Sequence, residues 1–171
     1  DRQQAMVGYE FEHTFDSGWT VRQNLRYANV SLNEDALYPN GPSTLDPTKL
    51  TRYRFAHDTD VSLFTVDNQL EGEFATGGLQ HNMLFGLDYR HYNIDQTQAT
   101  GGFSATDLDI DPHNPAYGVA VQPALGSPYL DNDFTRGQLG LYAQDQMKLG
   151  DGWIATLNGR YDFVSTNIDD R

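Results

Sequence analysis

The chain has 171 residues, a formal net charge of −13 and no cysteine. The absence of thiols excludes disulfides, thiolate metal sites and cysteine catalysis, and the negative charge disfavours nucleic acid and anionic membrane surfaces as partners. Mean hydropathy is −0.61, and no apolar run approaches the roughly 18 to 20 residues of a membrane-spanning helix. A transmembrane β-barrel stays compatible with these values, because alternate residues of its strands face lipid and lumen.

Six segments alternate between apolar and polar residues, which predicts six strands with one face buried in an apolar medium. The first two strands are predicted at about 5–15 and 19–32. The loop 16–18 between them ends in glycine and pairs Phe15 with Trp19 in an antiparallel hairpin. This register puts the apolar side chains of both strands on one face.

Two further hairpins give the same result. The turn at 77–78 pairs Phe74 with His81, and the loop 150–152 pairs Leu149 with Trp153. A slip of one residue would send every apolar side chain to the opposite face. Agreement among three loops of differing parity, two with three residues and one with two, therefore supports three hairpins with tight turns at one end.

The remaining connections are long and polar, at about 33–50 and 97–134. Short turns at one end and long loops at the other are typical of outer-membrane barrels, with the turns periplasmic and the loops extracellular. Aromatic residues near both ends of the apolar face suggest two interfacial girdles. The alternative is a soluble β-sandwich with aromatic ends to its core.

Two stretches carry a family resemblance: "FTVDNQLEGEFATGGLQHNMLFGLDYRHY" and "LGLYAQDQMKLGDGWIATLNGRYDF". Together with "GWTVRQNLRY" they resemble the barrel of TonB-dependent siderophore receptors, in particular the ferric hydroxamate or ferrichrome-type branch. The resemblance implies an all-β, antiparallel, up-and-down transmembrane barrel of about 22 strands closed by an N-terminal plug. Residues 1–171 would supply about six of those strands, and we recognise no plug or TonB-contact segment among them.

The resemblance also implies a function. The full receptor would import a ferric siderophore across the bacterial outer membrane with energy from the TonB complex, reached through the plug. Its partners would then be the siderophore, the TonB complex and outer-membrane lipid, with no cofactor beyond the iron carried as a ferric chelate. A passive porin is a second hypothesis and a soluble binding module a third.

Candidate ligand contacts follow from the loops. Tyr38 lies in "ALYPNG", where ferrichrome-type receptors carry ligand-contacting tyrosines, and Asn40 stands where the family has a second tyrosine. If strand three continues without a bulge, Tyr53 and Phe55 share the face of its polar residues, and Tyr92 does so on strand four. Aromatic side chains suit a compact, partly apolar chelate.

The polar face of the strands is predicted to line the lumen and to meet the plug. The turn at 77–78 places Asp67 opposite Asp88, and like charges directly across a ladder are destabilising. We expect either Arg90, a diagonal neighbour, or a cation of the plug to compensate them. The predicted lumen-facing residues are Arg22, Arg26, Asp67, Glu71, Glu73, Asp88, Arg90 and Arg160.

Enzymatic chemistry finds little support. The carboxylate pairs Glu10 with Glu12 and Glu71 with Glu73 have glycosidase-like spacing, but a polar lumen face explains them. The alternating aspartates Asp107, Asp109 and Asp111 lack the glycine and glutamate of a calcium loop. The histidines have no metal-ligand spacing. We therefore expect a binding and transport protein with no catalytic or metal site.

Overall fold

A computed structural model describes residues 1–103, 108–118 and 123–171. Six strands form one antiparallel sheet in the order β1-β2-β3-β4-β5-β6, each paired with its neighbours in sequence. Among the described residues, no helix is long and apolar enough to cross a bilayer. The strands are β1 (Arg2–Thr14), β2 (Thr20–Pro42), β3 (Leu50–Thr76), β4 (Leu79–Gly101), β5 (Leu130–Gly150) and β6 (Trp153–Asp170).

The first two tight turns form as the sequence predicts. In the β1–β2 turn, the Phe15 amide donates to the Trp19 carbonyl at 2.8 Å. In the β3–β4 turn, Gly77 and Gly78 take φ values of 57° and 90°, the left-handed conformation that favours glycine in two-residue hairpin loops. The predicted pairing of Phe74 with His81 is confirmed.

The third turn corrects the predicted pairing of Leu149 with Trp153. Gly150 pairs with Trp153 instead, and the register shifts between Lys148 and Gly150, so that Leu149 is left as a bulge. Asp151 and Gly152 then form a two-residue loop with φ values of 50° and 82°. Asp-Gly is a preferred dipeptide for such a loop. Because this turn is one residue shorter than predicted, Leu149 becomes an extra, unpaired residue in β5. The predicted register beyond the bulge is unchanged.

The two faces of the sheet differ in chemistry, as the alternation predicts. We call the face of Arg22, Asp67 and Asp88 the interior face, and that of Leu25 and Leu70 the exterior face. The register aligns each set across neighbouring strands. Because a lone sheet has nothing packed on either face, many of its large apolar side chains are exposed. Lipid would cover the exterior face in a membrane.

Aromatic side chains concentrate on the exterior face near the tight turns. The Trp19 ring lies directly over Gly72, where an added Cβ would come within 2.2 Å of it. Phe74 stacks on His81 with ring centroids 4.9 Å apart, and the His81 Nδ1 lies 2.8 Å from an Asp145 carboxylate oxygen. Amphipathic rings at this level match an interfacial girdle.

The strands are longer than the sequence analysis predicted, so the loops are shorter. β2 continues to Pro42 and β3 starts at Leu50, which leaves a connection of residues 43–49. The second connection likewise shrinks to 102–129. The backbones of these strand ends pair with neighbouring strands beyond the segments with clear apolar-polar alternation.

Residues 108–110 of the second connection pack against the tip of the β2–β3 hairpin. Ile110 forms an isolated bridge with Leu50, and the Arg52 Nε donates to the Leu108 carbonyl at 2.6 Å. Leu108 is fully buried. The Ser43 hydroxyl donates to Asp109, so this aspartate of the discounted calcium motif lies in a structural contact, while Asp107 falls outside the described residues.

Candidate functional site

The interior face carries an ion-pair network that crosses several strands. The Arg160 guanidinium, on β6, lies 2.6 Å from carboxylate oxygens of both Asp88 and Asp162. The Tyr142 hydroxyl, on β5, donates to Asp67 at 2.8 Å. A Gln69 side-chain amide adds a second donor to Asp67 at 2.7 Å. Both aspartates of the Asp67 and Asp88 pair therefore have their own partners.

These contacts correct the predicted role of Arg90. Asp67 and Asp88 are register partners, as predicted, but within the described residues Arg90 makes no contact with either of them. Arg160 compensates Asp88 from two strands away. In the described part of the chain, Arg90 makes no ion pair and no side-chain hydrogen bond.

Two glycines allow side chains to cross a neighbouring strand. Gly140 lies between Asp88 and Asp162 in the register, and a Cβ there would fall 2.1 Å from an Arg160 nitrogen. Gly86 lies under the Tyr142 ring, where a Cβ would fall 1.9 Å from a ring carbon. Tyr142 on β5 thus reaches Asp67 on β3, and Arg160 on β6 reaches Asp88 on β4. In each case the glycine on the strand between them has no side chain to block the contact.

A second network holds the acids nearer the tight turns. Arg22 lies 2.6 Å from Glu12 on β1 and 2.6 Å from Glu71 on β3. These contacts account for one member of each carboxylate pair considered for catalysis. Glu73 and Arg26 share the interior face by register, and neither makes an ion pair within the described residues.

At the opposite end of the sheet, aromatic side chains form a cluster on the interior face. Tyr38 pairs with Tyr53 across β2 and β3, and their ring centroids are 6.1 Å apart. Phe55 meets Tyr38 edge-on at 5.5 Å, and Phe103 stacks on Tyr53 at 4.8 Å. We call Tyr38, Tyr53, Phe55 and Phe103 the rim cluster.

The structure brings together three of the four predicted ligand residues. Tyr38 lies at the end of β2 and not in a loop, since β2 extends to Pro42. No bulge interrupts β3 between Tyr53 and Asp67, so the predicted shared face is confirmed. The sequence analysis missed Phe103, whose place in the cluster follows from the packing of the connection 102–129.

Tyr92 does not join the rim cluster. Its register partner on β3 is Leu63, which lies eight residues from Phe55, about 26 Å along the strand. Tyr92 contacts Phe134 on β5 instead, with ring centroids 6.1 Å apart. It belongs to a lower part of the interior face.

Polar groups support the rim cluster on both sides of the sheet. The Tyr38 hydroxyl donates to the Glu34 carboxylate, and this hydrogen bond raises the Tyr38 pKa above its ordinary value. On the exterior face, Arg54 binds Asp35 through two hydrogen bonds of 2.9 and 2.6 Å and holds the Asp35 pKa below its usual range. Because its pKa is raised, the Tyr38 side chain stays a neutral phenol at physiological pH.

No metal-binding cluster appears in residues 1–103, 108–118 and 123–171. They contain no group of three or more His, Asp or Glu side chains placed to hold a metal ion. The available chemistry is aromatic contact and hydrogen bonding at the rim, with ion pairs below it.

Comparison with known proteins identifies the family. The model described as "TonB dependent receptor-like, beta-barrel" matches residues 1–171. The chain belongs to this TonB-dependent receptor β-barrel family. The barrels of this family lie in the outer membrane, and the predicted all-β fold and location are thereby confirmed. The porin and soluble sandwich hypotheses are not supported.

Related proteins are siderophore receptors by name. The chain is 41% identical to the "Ferrioxamine B receptor" of Salmonella typhimurium (strain LT2) over 170 residues, covering 99% of the chain and 23% of that protein. It is 32% identical to the "Ferrichrome outer membrane transporter/phage receptor" of Escherichia coli (strain K12), covering 95% of the chain and 24% of that protein. The chain spans about a quarter of the length of these relatives.

Solved structures of TonB-dependent receptors share the fold. The siderophore receptor PiuA from Acinetobacter baumannii superimposes with a TM-score of 0.75 at 19% identity, over 99% of this chain and 29% of that one. The FpvAI chain in its complex with pyocin S2 gives a TM-score of 0.77 at 19% identity, over 98% and 22%.

Proposed function

We propose that the full-length protein takes up a ferric hydroxamate siderophore across the outer membrane with energy from the TonB complex. The rim cluster carries the proposal. It places four aromatic side chains at the long-loop end of the interior face, where an incoming ligand would arrive first. The ferrioxamine and ferrichrome receptors among the relatives support a hydroxamate over other siderophore classes.

The chemistry of the rim cluster suits such a ligand. A ferric hydroxamate chelate buries its iron in a compact shell with apolar and carbonyl surface. Flat aromatic faces bury that surface, and the Tyr53 hydroxyl makes no hydrogen bond within the described residues and can donate to a carbonyl. Iron is cargo in this scheme, and no resident metal or cofactor is needed.

Growth on a single iron source tests the proposal. A strain without other hydroxamate receptors would express the full-length protein and receive ferric ferrioxamine B or ferrichrome as its only iron. We expect growth on at least one of them that stops when TonB is deleted. Growth that continues without TonB would indicate passive diffusion, and no growth on either would contradict a hydroxamate substrate.

A further inference from the structure

A glutamate lies directly below the rim cluster on the interior face. Glu34 on β2 is the register partner of His57 on β3, and His57 lies two residues along β3 from Phe55, about 7 Å. The Glu34 carboxylate accepts a hydrogen bond from the Tyr38 hydroxyl. Glu34 is half-buried, whereas Tyr38 is exposed. An acid therefore forms part of the floor of the aromatic cluster.

The Tyr38 side chain reaches Glu34 along its own strand. Their backbones are four residues apart, about 13 Å, and Ala36 between them carries only a methyl group. Phe55 is the register partner of Ala36 and meets the Tyr38 ring edge-on at 5.5 Å between centroids. The Tyr38 ring therefore lies over Ala36 with its hydroxyl end at Glu34. A ligand that contacts these rings comes close to the carboxylate.

The Glu34 carboxylate has no cationic partner among the described residues. In that part of the chain it makes no ion pair at a limit of 4.0 Å, and the side chain that donates to it is the neutral Tyr38 phenol. Arg54 lies on the opposite face of β3 and binds Asp35. A half-buried carboxylate attracts positive charge more strongly than one in bulk water, because the protein lowers the local dielectric constant. The floor of the rim cluster therefore carries an unbalanced negative charge.

Two other basic side chains lie close enough to compete for Glu34. His57 faces it across the ladder, but the His57 Nε2 contacts the Thr59 hydroxyl. Arg2 on β1 lies diagonally from Glu34 on the interior face and donates to Gln4 at 3.3 Å. Neither forms an ion pair with Glu34 in the ranges that the structure describes. The carboxylate is thus open to a cation brought by the ligand.

We infer that Glu34 selects ferric chelates that carry a free ammonium group over neutral or anionic chelates of similar shape. The aromatic faces of the rim cluster favour the same charge, because the electron-rich face of a ring attracts a cation. The rings receive the body of the chelate, and Glu34 reads its charge. The inference rests on the proposed function, since it concerns the ligand of the same site.

Charge divides the ferric hydroxamates into two groups. Three hydroxamate anions balance the charge of the ferric ion, so the chelate core is neutral. A chelate with a pendant primary amine is then a cation at neutral pH, because such an amine is protonated there as in lysine. Ferric ferrioxamine B belongs to this cationic group, and ferrichrome to the neutral one.

Titration of the purified full-length receptor with two matched chelates tests the inference. Ferric ferrioxamine B and its N-acetyl derivative share the iron shell and differ by one positive charge. We expect the wild type to bind the cationic chelate at least about fivefold more tightly, the size of a favourable, partly exposed ion pair. Glu34→Gln keeps an acceptor for the Tyr38 hydroxyl. It should remove the preference by weakening the binding of the cationic chelate alone.

Two variants separate the local charge of Glu34 from other causes. Glu10→Gln removes the same charge from the same face, but Glu10 pairs with Asn24, ten residues along β2 from Glu34, about 33 Å. Tyr38→Phe removes the hydrogen bond and leaves the carboxylate charged. Both variants should keep the preference. Its loss in Tyr38→Phe would mean that Glu34 acts by holding the ring, and its loss in Glu10→Gln that overall charge sets it; either result would overturn the inference.

The remaining outcomes distinguish the inference from the proposed function. Equal affinity of the wild type for the two chelates, a preference for the N-acetyl derivative, or a preference that survives Glu34→Gln would overturn the inference and leave the proposed function standing. Binding of neither chelate, nor of ferrichrome, would contradict the proposed function itself, and the inference would fall with it.

Discussion

Arg160 reaches Asp88 across the backbone of an intervening strand, with a nitrogen to oxygen distance of 2.6 Å. The crossing point is Gly140, which is the register partner of both Asp88 and Asp162. One guanidinium thereby ties β4 to β6 over β5. Arg160 thus supplies a cation to one member of the acidic pair, while Tyr142 and Gln69 donate hydrogen bonds to Asp67.

Gly140→Ala should weaken this tie. The new methyl group would overlap an Arg160 nitrogen at 2.1 Å, so the guanidinium must move and keep only Asp162. We expect a small loss in the free energy of unfolding of the full-length barrel in lipid, because the pair is partly exposed and solvent screens it. Urea titration measures it.

A double-mutant comparison separates this cause from a general effect of the methyl group. Arg160→Gln removes the same contact, so Gly140→Ala combined with Arg160→Gln should cost little more than the larger single change. Strictly additive losses would show that the glycine acts in another way.

Gly86→Ala should be the more damaging glycine substitution. A Cβ there would lie 1.9 Å from the Tyr142 ring, and a rigid ring cannot fold aside as the end of an arginine can. We expect a loss of about 1 to 3 kcal/mol, the range for overpacking. The control Tyr142→Phe keeps the ring but loses its hydrogen bonds to Asp67 and Gln69, at about 1 kcal/mol. A smaller loss for Gly86→Ala than for Gly140→Ala would contradict this explanation.

Tyr38→Ala in the full-length receptor should weaken ferric siderophore binding by more than about tenfold, equivalent to about 1.4 kcal/mol. Its ring contacts both Tyr53 and Phe55, so its removal opens the rim cluster. Tyr92→Ala is the control, because Tyr92 lies outside that cluster. A binding titration in which both variants match the wild type would remove Tyr38 from the site.

The Asp35 pKa should depend on Arg54. Because that pKa is lowered in the folded protein, the pair's contribution to stability is fully present above the ordinary pKa of 3.8. It is lost only as the pH falls through the lowered value. Arg54→Gln should return the Asp35 pKa toward 3.8, as measured by carboxyl NMR titration. An unchanged titration curve would show that the ion pair does not persist in solution.

Register within hairpins was predictable, but register between them was not. Once the two-residue turn at 77–78 is known, counting residues outward along both strands places Asp67 opposite Asp88. The pairing of β4 with β5 follows a long connection, so no count places Gly140 beside Asp88. Arg160 was therefore recognised as an interior residue, but its partner was not.

Local chemistry limited the other predictions. The sequence is compatible with a three-residue loop at 150–152 and with a two-residue Asp-Gly turn that leaves Leu149 as a bulge. Both arrangements put the same β5 and β6 side chains on the same faces of the sheet, so the apolar pattern could not distinguish them. The end of β2 was mistaken for a loop because Asp, Asn, Pro and Gly residues there interrupt the apolar-polar alternation, although its backbone stays paired with β3. Phe103 joined the rim cluster through tertiary packing, which strand periodicity does not report.

The most direct test of the account is a titration of the purified full-length receptor with ferric ferrioxamine B or ferrichrome. It compares the wild type with a variant that carries Tyr38→Ala, Tyr53→Ala and Phe55→Ala together. We predict saturable binding of at least one chelate to the wild type and its loss in the variant, with barrel stability unchanged. Equal binding to both proteins, or none to the wild type, would contradict the proposal that the rim cluster receives a ferric hydroxamate.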